Sequence, residues 1–337
     1  MSRTHHSATN GPIASLVDEC APTASLTMLA TRHKLLRRLR QFFDEREFLE
    51  VTTPLLSRET VVDRYLEPLR VTLFSDPKEC GVGPSYYLQT SPEFHMKRLL
   101  VAGATAIYQV TQAFRGGECG ARHNPEFTIV EWYRVDDDLD SGMTFLSELV
   151  SHVLSVPAAV RRSYQEAFQE FLGIDPLDAP DARLQALARL HGGPPSCEDR
   201  DDCLNWLMAT RIEPFLGLDR PALVYGYPAA QAALARISPS DPRVADRFEY
   251  FYRGVELANG YHELTDPDEW ERRERAANQA RVASGRPELP LSNLFGAAMR
   301  RGLPPCAGVA LGFDRLVMVG AEARELAAVM CFPFDRA

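Results

Sequence analysis

The stretch FEYFYRGVELANGYHEL, residues 248–264, places glutamates at 249, 256 and 263 among aromatic and apolar residues. Seven-residue spacing would align the three carboxylates on one face of a helix. The residues between them favour strands instead. Phe248, Tyr250, Phe251 and Tyr252 are strand formers, while Gly254 and the pair Asn259-Gly260 would each weaken a helix interior. With Arg253-Gly254 as a two-residue turn, Tyr252 pairs with Val255 and Phe251 with Glu256. Glu249 then shares the face of Phe251 and lies diagonally across from Glu256, about 7–8 Å away. Such a pair of carboxylates suits one or two hard cations. Glu263 has the opposite parity unless a bulge intervenes, and Asn259-Gly260 offers a place for one.

Working outward, 337 residues allow one large domain or two medium ones. No apolar run approaches twenty residues, which argues against a membrane-spanning helix. The opening MSRTHHSATNGPIASLVDEC lacks a long apolar core, so residues 1–27 read as a flexible polar tail rather than a signal peptide. Seven cysteines, with no CxxC pair, point to reduced thiols in the cytoplasm. A net charge of −9 argues against broad electrostatic binding to nucleic acid and leaves room only for a local basic patch.

Four further segments carry candidate chemistry. In RHKLLRRLRQFFDEREFLEVTTPLLS, Leu35, Leu36, Leu39, Phe42 and Phe43 form one helical face, followed by a short strand from Phe48 to Val51 that ends at Thr53-Pro54. In YYLQTSPEFHMKRLLVAG, Ser91 suits an N-cap, Pro92 the first helical position and Gly103 the end of the helix. Glu93 there either complements the helix dipole or binds a ligand. In AIYQVTQAFRGGECGARHNPEFTIVEWYRV, two strands flank a loop from Gly116 to Glu126 that is long for a hairpin. Arg115 leaves the first strand on its polar face, and Glu131 and Tyr133 share a face with Phe127. A cationic loop facing carboxylates suits an anionic ligand bound through a divalent metal. In CAGVALGFDRLVMVG, Gly308 and Gly312 permit close backbone approach, and Asp314-Arg315 opens an apolar helix.

Together these segments resemble, in order, the three signature motifs of class II aminoacyl-tRNA synthetases, with the lysyl branch the nearest match. Helix, strand and Pro54 resemble motif one, which builds a dimer interface; FRGGECGARHNPEFT resembles motif two and GVALGFDR motif three. TSPE, EWY and VELANGYHEL match lysine-site segments. The resemblance runs from residue 28 to 337 and implies an α+β catalytic core, an antiparallel sheet of six or seven strands flanked by helices. Only about thirty residues precede motif one, too few for an anticodon-binding OB-fold, which needs roughly a hundred. The chain is therefore similar to the elongation factor P–lysine ligase family, truncated paralogues of lysyl-tRNA synthetase. Ala258 and Ala310 match that family, where tRNA synthetases usually have glycine.

The resemblance implies site roles. Glu249 and Glu256 would hold Mg2+ on the phosphates of ATP, and Glu263 would receive a substrate ammonium. Ser91, Pro92, Glu93, Glu131, Tyr133 and Asn259 would complete the site for lysine or (R)-β-lysine. Arg115, Gly116, Gly117, Glu118, Asn124, Phe127, Glu256, Leu257, Gly312 and Arg315 would bind ATP, with Arg115, Arg315 and Glu256 central to catalysis. One departure stands out: where the family usually reads Arg-x-Glu, this chain has Arg115-Gly116-Gly117-Glu118. Either Glu118 reaches the adenine after a loop adjustment or that contact is lost. The implied activity is ATP-dependent transfer of a lysine isomer to elongation factor P by a cytoplasmic homodimer that needs neither tRNA nor a membrane. A stand-alone tRNA-aminoacylating enzyme and a catalytically silent regulatory paralogue are the competing readings.

Overall fold

The hairpin reading decides the centre of the fold. Tyr252 pairs with Val255 and Phe251 with Glu256, and Arg253 (φ 53°) and Gly254 (φ 67°) form the turn between them. Two successive positive φ values match the hairpin turn whose twist suits the flanking strands.

The computed structural model describes residues 20–194, 197 and 199–337. Its first half contains α1 (Leu26–Asp44), β1 (Leu49–Glu50), β2 (Leu56–Ser57), β3 (Arg70–Thr72), β4 (Ser85–Leu88), α2 (Glu93–Val101), β5 (Ala106–Phe114), β6 (Glu126–Val135) and α3 (Leu139–Leu154). The second half contains β7 (Val160–Ser163), α4 (Tyr164–Leu172), α5 (Asp181–Leu190), α6 (Arg200–Leu207), β8 (Ala222–Pro228), β9 (Val244–Tyr252), β10 (Val255–His262), α7 (Pro267–Ala283), α8 (Asn293–Gly302), β11 (Cys306–Gly312) and α9 (Phe313–Gly320). Most of the tail expected over residues 1–27 lies outside the described residues. From Thr23 onward the chain is held: the N–H groups of Thr23 and Ala24 donate to the carbonyls of Cys331 and Met330. Ser25 then caps α1 by accepting from the Met28 N–H at 3.1 Å.

The main sheet has eight strands in the order β1-β5-β6-β11-β10-β9-β8-β7, not six or seven. Six consecutive strands, β5 to β8, are antiparallel, and the extra two are short edge strands paired in parallel, β1 to β5 and β7 to β8. Parallel pairs need long crossover connections, so their partners are not visible in local sequence.

Strand alternation divides the sheet into two faces. Tyr108, Val130, Trp132, Phe248, Tyr250, Val309 and Leu311 join one core with Leu39, Phe42 and Phe43 of α1, the apolar face of α3 and Leu316 and Val317 of α9. Phe43 stacks on Tyr108 with ring centroids 4.2 Å apart. The alternate residues, Glu131, Tyr133, Asn259, Tyr261, Gly308 and Ala310 among them, line a cavity on the other face. Past β9 that second face is covered by α4, α5 and α6, whose apolar residues pack on Val224 and Phe251.

Candidate active site

A β-bulge creates the site. The β9–β10 register shifts between Glu256 and Ala258, so Asn259 pairs with Glu249 and Tyr261 with Arg247. The extra residue, Leu257, brings Glu256, Asn259, Tyr261 and Glu263 to the cavity. The bulge that Glu263 requires is present, but at Leu257, two residues before Asn259-Gly260. Gly260 has a different role: a Cβ there would meet the Phe248 ring at 2.4 Å.

One cavity of about 1000 Å³ gathers Ser91, Glu93, Arg115, Glu118, Asn124, Phe127, Glu131, Tyr133, Glu256, Leu257, Asn259, Glu263, Gly312 and Arg315. Four expected site residues do not line it. Pro92 is buried at the start of α2, Gly116 and Gly117 form a turn beside it, and Glu249 lies behind Arg247.

At one end stand three buried carboxylates, Glu93, Glu131 and Glu263. Pro92, not Ser91, occupies the cap position of α2, but the Ser91 hydroxyl still accepts from the Glu93 N–H at 3.1 Å. The same hydroxyl donates to Glu131 Oε2 at 2.7 Å, and the Tyr133 hydroxyl donates to Glu131 Oε1 at 2.7 Å. Lys97, one helical turn after Glu93, places Nζ 2.5 Å from Glu93 Oε1 and 2.6 Å from Glu263 Oε2. Burial pushes Glu131 up to about 7, with the Glu93 charge adding to it. Burial also pushes Glu263 up to about 8, against the opposing pull of Lys97. For Lys97 itself burial favours the neutral amine, but the Glu263 and Glu93 carboxylates outweigh it and keep the ammonium. Gly308 makes room for this cluster, since a Cβ there would meet Tyr133 at 2.2 Å and Glu263 Oε1 at 2.4 Å.

At the other end lie the arginines. The Arg115 guanidinium sits 5.0 Å over the Phe127 ring. Arg315 Nη1 donates to the Glu256 carbonyl at 3.0 Å and lies 3.4 Å from the Glu256 carboxylate, while Nη2 meets His123 Nε2 at 2.7 Å. Burial and Arg315 hold His123 below its ordinary pKa, so its neutral ring accepts that hydrogen bond. Asn124 Oδ1 accepts from the Phe334 N–H at 2.9 Å, fixing the loop that bears it. Gly117 has φ 80°, a left-handed conformation that disfavours the glutamate usual at this motif position. Glu118, the next residue, reaches the cavity.

The carboxylates between the two ends fit a hard cation. Glu249 accepts from the Tyr227 hydroxyl at 2.5 Å and from Arg247 at 2.7 Å, one bond to each oxygen, which leaves lone pairs on both. Burial and the Glu256 charge push its pKa up, against the pull of Arg247. Asn259 Oδ1, directly across the ladder, is buried without a hydrogen-bond partner. Among the described residues no group of three acidic, histidine or cysteine side chains is arranged to hold a metal ion, so a cation between Glu256 and Glu249 would need oxygens of the bound ligand as well.

Sequence reasoning missed Lys97, Arg247, Tyr227 and Glu213. Lys97 follows Glu93 at the i,i+4 spacing of a helical ion pair, and Arg247 precedes Glu249 by two on one strand, so both had a local signal. Tyr227 and Glu213 reach the site only through tertiary packing. Burial, then Glu256 and Glu249, push the Glu213 carboxyl up to about 7.

A family model described as tRNA synthetases class II (D, K and N) matches residues 18–336. The chain belongs to this class II synthetase family. Within the family it is similar to proteins named elongation factor P–(R)-β-lysine ligase. That of Vibrio cholerae serotype O1 is 48% identical over 320 residues, 94% of this chain and 98% of the relative. Those of Klebsiella pneumoniae and Hamiltonella defensa are 45% and 43% identical, with the same coverage. The segments read in the sequence as resembling motifs one, two and three fall on α1 and β1, on β5, β6 and their loop, and on β11 and α9. Both alanines singled out in the sequence, Ala258 and Ala310, line the cavity; Ala310 is in register with Asn259 and Glu131, and Ala258 also packs against the core.

Proposed function

We propose that this chain activates (R)-β-lysine with ATP and transfers it to a lysine side chain of elongation factor P. The observation that carries the reading is a single cavity with buried carboxylates at one end and arginines at the other. The carboxylate end suits a diammonium amino acid, and the arginine end suits a nucleotide. The names of the three relatives support the acceptor and the isomer.

Glu263 and Glu131 bind the substrate ammoniums, with Tyr133 and Ser91 fixing the Glu131 carboxylate and Glu93 completing the anionic wall. Asn259 orients the substrate between the two ends. Arg115 contacts the α-phosphate, and Arg315 and Phe127 enclose the adenine. The substrate carboxylate oxygen attacks the α-phosphorus, the bond to pyrophosphate breaks, and a lysyl-adenylate remains. Two anions must approach each other in this step, so the arginines lower the barrier by offsetting charge as it builds. Glu256 and Glu249 would hold Mg2+, which would supply further neutralisation of the triphosphate. In the second step the acceptor amine attacks the adenylate carbonyl, AMP leaves with the bonding electrons, and the amine proton passes to solvent. Positioning and electrostatics suffice, with no protein nucleophile.

Residues 28–337 form the catalytic unit, and two copies pair through α1, β1 and the segment ending at Pro54. Leu49, 62% exposed on the edge strand β1, supports that interface. No helix among the described residues is long and apolar enough to cross a membrane. The enzyme works in the cytoplasm, where its acceptor is made. ATP–pyrophosphate exchange with each lysine isomer tests the activation step. Exchange that depends on a lysine isomer, with (R)-β-lysine giving the highest kcat/KM, is expected; no exchange with any isomer contradicts the proposal.

A further inference from the structure

Lys97 is 1% exposed and does not line the cavity, although the two carboxylates it touches do. It stands behind Glu93 and Glu263 as a counter-ion rather than as a group that meets the ligand. When all four groups are ionised, three carboxylates against one ammonium leave this end of the cavity at −2. We propose that Lys97 is a positioning residue that sets this charge, so that the pocket is neutralised only by an amino acid bearing two ammonium groups. The inference rests on the reading of a lysine isomer as substrate.

Physical chemistry separates this role from simple packing. An amino acid with one ammonium would leave one buried carboxyl with no cation, and that group must keep its proton, at a cost that grows as pH rises above its raised value. Without Lys97 the pocket would carry −3, and two substrate ammoniums would leave one charge unmatched. A proton shared between Glu93 and Glu263 would then have to take the place of the lost ammonium. Protons held in such an empty pocket must be expelled in greater number when the ammoniums arrive, so binding in the variant would be weaker near neutrality and would rise more steeply with pH.

The parent protein should show a shallower dependence of the same sign. Glu131 and Glu263, raised to about 7 and about 8, hold protons in the empty pocket near neutrality. Arriving ammoniums expel those protons, so binding strengthens from about pH 6.5 up to the range where the substrate amines themselves begin to lose protons. The other groups facing the cluster are silent in this window. Burial pushes the Tyr133 and Tyr261 hydroxyls and the Cys306 thiol well up, so they stay neutral. Arg247, which lines the cavity, is paired with Glu249 at 2.7 Å. His95 on α2 and His262 on β10 are held below their ordinary values by burial, so they are already neutral.

The test is calorimetric titration of the activated lysine isomer into the parent, Lys97→Met, Glu93→Gln and the double variant, from pH 6.5 to 8.5, with ATP binding as the control. Lys97→Met should weaken lysine binding by about 100-fold near neutrality and steepen its rise with pH, leaving ATP binding unchanged. The double variant restores −2, so it should bind lysine at least about tenfold more tightly than Lys97→Met and regain the parental slope. A merely structural Lys97 would make the double variant no better than the worse single one. That result, or Lys97→Met with parental affinity and slope, overturns the proposal. Should Lys97→Met not fold, the double variant is compared with Glu93→Gln, and tighter lysine binding by the double supports the charge role while equal or weaker binding overturns it. A folded parent that binds no lysine isomer contradicts the substrate reading itself, and this proposal with it.

Discussion

Arg315 holds Glu256 in two places, donating to its carbonyl at 3.0 Å and lying 3.4 Å from its carboxylate. A proposed nucleotide arginine and a proposed metal ligand are thus paired across β10 and α9 in the ligand-free site. ATP with its cation must exchange this contact for new ones. Glu256→Gln keeps the shape and the backbone bond but removes the charge a cation needs. The variant is expected to fold, with ATP–pyrophosphate exchange reduced about 100-fold or more. Exchange at the parental rate would remove Glu256 from the metal site.

Glu118 is the second target. It reaches the cavity one position after the left-handed Gly117, where the usual motif glutamate would be strained. If Glu118 contacts the base, Glu118→Gln should raise the KM for ATP by about tenfold, equivalent to about 1.4 kcal/mol, and leave the lysine KM unchanged. It should also narrow the preference for ATP over GTP. Unchanged nucleotide kinetics would mean that Gly117 marks a lost contact.

The buried carboxylates make stability depend on pH. Glu131 and Glu263 titrate near 4.3 when unfolded and near 7 and 8 when folded, so the folded protein binds more protons between those values. Stability is therefore favoured at low pH and lost as pH rises through about 7 and 8. Melting temperature without ligand should fall from pH 6.5 to 8.5, a window above the depressed histidines. Saturating lysine should flatten that fall, because the ammoniums replace the protons. A melting temperature that rises with pH would contradict the assignment.

The proposed dimer is open to a direct test. The chain mass is 37.7 kDa. Light scattering at micromolar concentration should return about twice that mass, and Leu49→Asp on the exposed edge strand should shift it toward the monomer. A 37.7 kDa particle for the parent protein would remove the interface.

The legible parts of the fold were those fixed by local chemistry. Arg253-Gly254 set the β9–β10 turn, and the turn set the register that puts Phe251 opposite Glu256. Period-two alternation likewise placed Glu131 and Tyr133 on the face of Phe127. The bulge was misplaced because Asn259-Gly260 looks like a breaker, whereas Gly260 is small to admit the Phe248 ring from β9. That reason is visible only once two strands are paired. The short strand read from Phe48 to Val51 is β1, but its pairing with β5, like β7 and its pairing with β8, was hidden for the same cause, since parallel partners are far away in sequence. Lys97 carried a local signal beside Glu93, but its second partner, Glu263, is long-range.

Intact-mass measurement of purified elongation factor P, incubated with this protein, ATP and each lysine isomer, tests the central claim most directly. The account expects one lysyl mass increment on the protein, greatest with (R)-β-lysine, dependent on ATP and lost when the acceptor lysine is replaced by arginine. Lysine tRNA supplied in parallel should remain uncharged. No mass increment on elongation factor P with efficient charging of the tRNA would contradict it.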